Sequence, residues 1–264
     1  MSETTTPLRI FDRIVCGIDG TPESLEAARQ AERLRAAEGT LRLAAVEEVK
    51  TAVHAGYAMS HVLEQLDVAV RDDLRRALDE VSPGSTQLLA GDPVPCLLDE
   101  IERTNGTLVA VGPRGHSRAA GMVLGGVATE LLHRAPCSVL FAREPHFGEF
   151  PSSILVGIDG SAPSLDAWRV ARSIADRFDA ELVAVAAQGG KGTDVRKVQE
   201  LDPVLILDPR TPVDTLAELS EEADLLIVGS RGLHGPKALG SVSERVAHRA
   251  AGSVLVVRNT QEER

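Results

Sequence analysis

Short apolar runs alternate along the chain with longer segments in which apolar residues recur every three or four positions. The short runs are rich in Val, Ile and Leu, which is typical of buried strands, and the longer period indicates helices with one apolar face. In the first half the pattern predicts strands at 13–18, 41–46, 86–90, 107–111 and 138–142. It predicts helices at 22–37, 61–81, 93–102 and 126–134. This alternation predicts an α/β fold with a parallel sheet.

The pattern occurs twice. The segment that starts at Ile14 recurs at Ile154, Val111-Gly-Pro-Arg-Gly115 recurs as Val228-Gly-Ser-Arg-Gly232, and Ser138-Val-Leu140 recurs as Ser253-Val-Leu255. Three blocks in the same order indicate an internal duplication. Prolines and a glycine interrupt any regular element at 144–151, so we expect two domains, at 1–146 and 147–264.

The second copy is shorter than the first. Its first two blocks lie 23 residues closer together, and the interval that holds helix 61–81 in the first copy contains Gly189-Gly190-Lys191-Gly192 in the second. Such a glycine-rich stretch does not favour a helix. We therefore expect the second domain to lack its second helix, which leaves one face of its sheet less covered.

Composition and charge exclude several function classes. With 43% hydrophobic residues, the 264-residue chain has enough apolar side chains to form a core. Its net charge of -11 and its aromatic content of only 3% disfavour nucleic-acid and anionic-membrane partners. The three cysteines have no zinc-site spacing. No apolar stretch approaches the ~18 residues of a membrane span, and no signal peptide is recognisable. We expect a cytoplasmic protein.

Glycines and acidic residues cluster where an open parallel sheet binds ligands, beyond the carboxyl ends of neighbouring strands. Strand one of each copy ends at Asp19 or Asp159, followed by glycine. Strand four runs into Gly112-Pro-Arg-Gly115, with Gly125-Gly126 nine residues later, and in the second copy into Gly229-Ser-Arg-Gly232, with Gly240-Ser241 seven residues later. Glycine backbones and a helix N-terminus suit a phosphate chain.

These motifs resemble the universal stress protein family in its tandem form, from Arg13 to Val257. The resemblance implies two Rossmann-like domains, each an open five-stranded parallel sheet of order 3-2-1-4-5 with helices on both faces, and antiparallel pairing of the two last strands. Some family members bind ATP: the strand-one aspartate meets the adenosine moiety, the end of strand two contacts adenine, and the glycine loop holds the phosphates. The matching positions are Asp19, Val46, Gly112, Arg114, Gly115, Gly125 and Gly126, and in the second copy Asp159, Gly229, Arg231, Gly232, Gly240, Ser241 and Ser243.

Both copies depart from the family signature. The first has Gly126 where a hydroxyl residue belongs, which removes one side-chain contact to phosphate. The second keeps Ser241 and Ser243, but its loop is two residues shorter. We expect weakened binding in the first copy and altered geometry in the second.

Plainer interpretations exist for the same residues. Asp19 and Asp159 can end a strand and cap the next helix, and the loop arginines can be solvated cations. Cys16, inside a strand, is expected to be an inert core residue. The charged residues at 72–76 are expected to form a solvated helix face.

No common hydrolase, kinase or zinc-peptidase motif occurs in the chain. We therefore predict a cytoplasmic stress-response module that binds or senses ATP, with Mg²⁺, without strong catalysis. The alternatives are a nucleotide-free scaffold acting through protein association, as a homodimer of tandem chains, and a slow ATP hydrolase.

Overall fold

The computed structural model describes residues 11–47, 59–81, 84–115, 123–146, 148–189, 193–199, 201, 206–230 and 242–258. These residues form one ten-stranded sheet with helices on both faces. Within these ranges, no helix combines the length and the apolar character needed to cross a membrane.

The first half contains five strands and four helices. The strands are β1 (Phe11–Ile18), β2 (Arg35–Glu47), β3 (Gly84–Ala90), β4 (Leu108–Val111) and β5 (Ser138–Phe141). The helices are α1 (Pro22–Leu34), α2 (Met59–Glu80), α3 (Pro93–Thr104) and α4 (Gly126–Arg134).

The second half repeats this order in shorter form. Its strands are β6 (Ser153–Gly157), β7 (Glu181–Ala187), β8 (Ile206–Asp208), β9 (Leu225–Gly229) and β10 (Ser253–Val257). Its helices are α5 (Ala162–Phe178), α6 (Val195–Gln199), α7 (Pro212–Leu219) and α8 (Val242–Arg249), with a 3-10 turn at Ser220–Glu222.

The sheet order confirms the predicted fold class. The strands lie in the order β3-β2-β1-β4-β5-β10-β9-β6-β7-β8, so each half has the order 3-2-1-4-5. Pairing within each half is parallel, and β5 pairs with β10 antiparallel. Leu140 lies opposite Leu255, its own repeat equivalent. The two halves are therefore related by a pseudo-twofold axis through this strand pair.

Arg143, two residues after the end of β5, crosses the axis to the end of α8. Its guanidinium donates hydrogen bonds to the carbonyl oxygens of Ala247 and Gly252, both at 3.0 Å. Burial and the nearby charge of Arg114 lower the pKa of Arg143 to about 10. A cation here offsets the partial negative charge of the helix C-terminus.

Arg258, directly after β10, makes the reciprocal contact in the first half. Its buried guanidinium donates to the carbonyl oxygens of Leu132 and Ala135 at the end of α4. Its backbone N–H donates to Ser138 Oγ at 3.1 Å, as the N–H of Arg143 does to Ser253 Oγ at 2.9 Å. Each half thus supplies an arginine that donates hydrogen bonds to the C-terminal end of the last helix in the other half.

The helix predicted at 22–37 ends earlier than expected. It stops at Leu34, and β2 begins at Arg35, which pairs with Phe11 before the register shifts. The Arg35 side chain donates to Glu32 and to the carbonyl oxygen of Gly39 at 2.8 Å. This local network holds residues 35–39 in a bulged strand rather than in a further helical turn.

The second helix of the second half is reduced to the five residues of α6. The long helix found in the first half has no counterpart of that length in the described part of the second. Val198 on α6 is nevertheless fully buried and packs in the same core as Val156 and Ala186. The sheet face that the sequence predicted to be less covered is therefore partly covered by this turn.

Candidate functional site

A cavity of about 610 Å³ opens at the carboxyl ends of β1, β2 and β4, between α2, α3 and the start of α4. This volume is typical of small-molecule sites. All seven residues predicted from the first copy line it, namely Asp19, Val46, Gly112, Arg114, Gly115, Gly125 and Gly126. They come from four separate stretches of the chain, which the parallel sheet brings together at one edge.

Asp19 links the turn after β1 to the glycine loop. Its Oδ1 accepts hydrogen bonds from the N–H and the hydroxyl of Thr21, at 3.0 and 2.5 Å, and Thr21 caps α1 by accepting from the N–H of Ser24 at 3.2 Å. A Cβ added to Gly115 would lie 2.9 Å from Asp19 Oδ2. One carboxylate oxygen therefore serves the turn, as the plainer interpretation predicts, while the other lies against the loop.

The glycines of the loop allow close approach of backbone segments. A Cβ on Gly112 would lie 2.9 Å from the Cβ of Glu23. The N–H of Gly125 donates to the carbonyl oxygen of Pro113 at 2.8 Å, which folds the loop back onto the start of α4. Gly125 is the N-cap of α4 without a side-chain hydrogen bond, and the first three residues of this helix line the cavity. Around Gly126 an added Cβ would meet no atom within 4 Å.

Asp73 on α2 belongs to the cavity, which corrects its expected place on a solvated helix face. Its side chain is only 19% exposed, pairs with Arg76 and lies directly over Gly20. Gly20 has a φ of +79°, and a Cβ there would overlap the Asp73 carboxylate. The signal was present in the sequence: Asp73 follows Val70 by three positions and precedes Leu74, both on the apolar side of the helix.

Charges are divided across the cavity. Glu47 at the end of β2 also lines it, although sequence reasoning missed this residue. Because β2 and β4 flank β1 on opposite sides, Glu47 lies on the β2 side of Asp19 and Arg114 on the β4 side. The β2 side suits hydrogen-bond donors such as sugar hydroxyls and amines, and the β4 side suits an anion.

The second half builds a related turn with different surroundings. Asp159 Oδ1 accepts from the N–H of Ser161 at 2.9 Å, and its carbonyl oxygen accepts from the N–H of Asp194 at 2.9 Å. Gly229 ends β9 beside this turn, where an added Cβ would overlap the carbonyl oxygen of Pro163. Asp159 and Gly229 thus lie at the carboxyl ends of the neighbouring strands β6 and β9.

The remaining predicted residues of the second copy are described only in part. Ser243 is buried in the first turn of α8. Four positions lie outside the described residues, namely Arg231, Gly232, Gly240 and Ser241. In the part of the chain that the structure describes, no group of three or more His, Cys, Asp or Glu side chains could hold a metal ion.

Comparisons with known proteins agree with this architecture. The model of the universal stress protein family matches residues 10–143 and 195–258. Universal stress protein Rv2623 of Mycobacterium tuberculosis is 29% identical over 290 residues, covering 94% of this chain and 96% of that protein. Universal stress protein Rv1996 of the same species is 28% identical over 313 residues, with the same coverage of both chains.

Among solved structures, a universal stress protein from Archaeoglobus fulgidus superposes with a TM-score of 0.73, at 21% identity, covering 95% of this chain and 97% of that one. A putative universal stress protein from Pseudomonas aeruginosa gives a TM-score of 0.65 at 16% identity, covering 94% and 93%. These structures share the fold over both halves. The family-model match, which spans more than half of the chain, shows that the chain belongs to the universal stress protein family.

Proposed function

We propose that the first half binds an adenine nucleotide in the 610 Å³ cavity. The observation that carries this proposal is that all seven residues carried over from the family signature line one cavity. In the proposed pose the ribose hydroxyls donate to Asp19, the adenine lies beside Val46 and Glu47, and the phosphates lie between the glycine loop and the start of α4.

The phosphate end of the cavity has three sources of positive potential. Backbone N–H groups at the start of α4 and in the glycine loop can donate to phosphate oxygens, the helix dipole adds to them, and Arg114 supplies a full charge. The loop also tolerates a close ligand, because Gly126 has open space where a side chain would begin. The residues present therefore fit a phosphate group.

A divalent cation is part of the proposal. Three carboxylates, those of Asp19, Glu47 and Asp73, line the cavity with Arg114, and the bound triphosphate adds about four negative charges. Mg²⁺ keeps several waters and commonly binds through substrate phosphates plus one or two carboxylates. We therefore expect Mg²⁺ to enter with the nucleotide, with its main ligands on the phosphates.

We propose a binding or sensing module of a cytoplasmic stress response, without strong catalysis. The described residues that line the cavity include no histidine, cysteine or lysine, so a general base would have to be one of its carboxylates. A slow hydrolase would bind the same ligand and would differ only in turnover. Release of inorganic phosphate from ATP by the purified protein, compared with the Asp19→Ala variant, separates the two.

Calorimetric titration with ATP and Mg²⁺ tests the proposal. The wild type should show saturable binding, and Asp19→Ala should weaken it by about tenfold or more because it removes an acceptor for the ribose. Asp159→Ala, the equivalent change in the second half, is the matched control for the first site. Absence of saturable binding by the wild type at millimolar ATP would refute the proposal.

The proposed second site, formed by Asp159, Gly229, Ser243 and the loop outside the described residues, is tested by the same pair of variants. A stoichiometry above one ATP per chain that falls with Asp159→Ala would assign a site there. A stoichiometry of one that is insensitive to Asp159→Ala would restrict binding to the first half. Co-purified nucleotide would also be visible, since one Trp and one Tyr give low protein absorbance.

Association of two tandem chains is a second candidate function. It is favoured by Ile206, which is 41% exposed on the outermost strand β8. A scaffold of this kind would be a homodimer and would need no nucleotide. Light scattering across micromolar concentrations should then give twice the chain mass, and a constant mass of 28.0 kDa would contradict it.

A further inference from the structure

The start of α4 is tied to the second half by a histidine. His248, in the last turn of α8, accepts a hydrogen bond at Nδ1 from the N–H of Leu124, at 3.1 Å. Leu124 is buried and immediately precedes Gly125, whose own N–H donates to Pro113 in the strand-four loop. Two successive N–H groups thus fix this segment, one to each half of the molecule.

We propose that His248 is a positioning residue for the nucleotide cavity of the first half, acting through Leu124; this proposal rests on the proposed function. Leu124 is two residues from Gly126, the first residue of the helix that lines the cavity. A buried N–H that loses its acceptor has to find another, because leaving it unpaired is unfavourable. The backbone would then turn, and the donors at the start of α4 would turn with it.

The repeat counterpart of His248 in the first half also contacts the other half. His133 is the repeat counterpart of His248, and its Nε2 lies 3.1 Å from the carboxylate of Glu244 on α8. It therefore lies against a side chain of the other half. Both histidines thus make contacts across the pseudo-twofold axis.

The Leu124 hydrogen bond requires neutral His248. Nδ1 accepts only when the ring carries its single proton on Nε2. Burial lowers the pKa of His248, Glu244 opposes this, and the charges of His133 and Arg143 lower the pKa further. The contact is therefore present at neutral pH, and it is lost on acidification through that lowered pKa, when Nδ1 becomes a donor.

Nucleotide titration of three variants tests the proposal. His248→Ala should raise the Kd for ATP with Mg²⁺ by about 3- to 10-fold at neutral pH, since one orienting hydrogen bond is lost. His248→Asn places an amide oxygen near the position of Nδ1 and should stay within about twofold of the wild type. Arg249→Ala, the neighbouring residue on α8, whose guanidinium pairs with Asp214, should leave the Kd unchanged.

The pH profile separates positioning from a general packing role. The wild-type Kd should rise on acidification, and this rise should be smaller in His248→Asn, which has no titratable ring. Equal Kd values for His248→Ala and the wild type, with both folded by circular dichroism, would overturn the proposal. The proposal would also be overturned if His248→Asn bound ATP as weakly as His248→Ala and its Kd depended on pH as strongly as that of the wild type.

A readout without nucleotide keeps this proposal distinct from the proposed function. The amide ¹H and ¹⁵N resonances of Leu124 should move as His248 titrates in the wild type and remain still in His248→Asn. A Leu124 amide that does not respond would overturn the contact, whatever the protein binds. Titrating Leu124 resonances in a protein that binds no ATP would overturn the proposed function and, with it, the positioning role.

Discussion

Replacing Gly126 by serine should tighten nucleotide binding, because it restores the hydroxyl that the first copy lacks. Gly126 is the first residue of α4, lines the cavity and does not have a positive φ. A Cβ at this position meets no atom within 4 Å, so serine fits without moving its neighbours. Serine is also a better helix residue than glycine, which should keep the variant at least as stable as the wild type.

The size of the gain follows from the single contact added. A hydroxyl that donates to a charged phosphate oxygen contributes about 1–2 kcal/mol once its exchange with water is counted. This corresponds to a Kd about 5- to 30-fold lower. The gain should be confined to ligands with phosphates, because the new hydroxyl lies at the start of α4 and not beside Val46 and Glu47.

Gly126→Ala is the matched control, since it adds the same Cβ without the hydroxyl. Calorimetric titration of wild type, Gly126→Ser and Gly126→Ala with ATP and Mg²⁺, and separately with adenosine, gives the comparison. We expect only serine to improve ATP binding and neither variant to change adenosine binding. Equal ATP affinity for serine and alanine, or a gain that also appears with adenosine, would refute the assignment of phosphates to this end of the cavity.

Three further predictions concern the fold around the site. Asp224 is fully buried and accepts hydrogen bonds from His146, Ser152 and Ser153 in the segment that joins the halves. Asp224→Ala should therefore lower the free energy of unfolding in urea by about 3–5 kcal/mol. The control Asp214→Ala, at an exposed aspartate, should change that free energy little. Gly229→Ala should lower the unfolding free energy by about 2–3 kcal/mol because its Cβ meets the Pro163 backbone, and an unchanged melting temperature would contradict the close approach. Burial raises the pKa of the Cys137 thiol to about 12, and burial together with the charge of Asp19 raises the pKa of Cys16. An alkylating reagent should therefore label only the half-buried Cys96 in the native protein. Mass spectrometry should find label on Cys16 and Cys137 only after unfolding.

The repeat carried most of the information that made the fold predictable. Val, Ile and Leu runs that recur with Asp19 and Asp159 at their ends indicate β1 and β6, and the two strand-four motifs indicate their neighbours. The seven cavity residues named from the first copy were predictable for the same reason, since each lies at a strand end, in the loop after strand four or at a helix start. The early end of α1 was not, because it depends on Arg35 bridging Glu32 and Gly39.

The residues that sequence reasoning missed act over long separations in the chain. The helix period places Asp73 beside the apolar side of α2, but it does not show that the carboxylate lies over Gly20 in the turn after β1. Arg143 and Arg258 look like ordinary charged residues after a strand until β5 and β10 pair and direct each toward the opposite helix. His248 belongs to the same class: its neighbour Leu124 is 124 residues away.

The pairing of β5 with β10 inside one chain has a consequence for how the two halves can vary. In a symmetric dimer every substitution occurs on both sides of the axis, so a residue has to be tolerated in two equivalent places at once. In a tandem chain Gly126 and Ser241, or His133 and His248, mutate independently while the central sheet stays shared. Covalent linkage therefore allows one half to specialise in ligand binding while the other is shortened and supplies support.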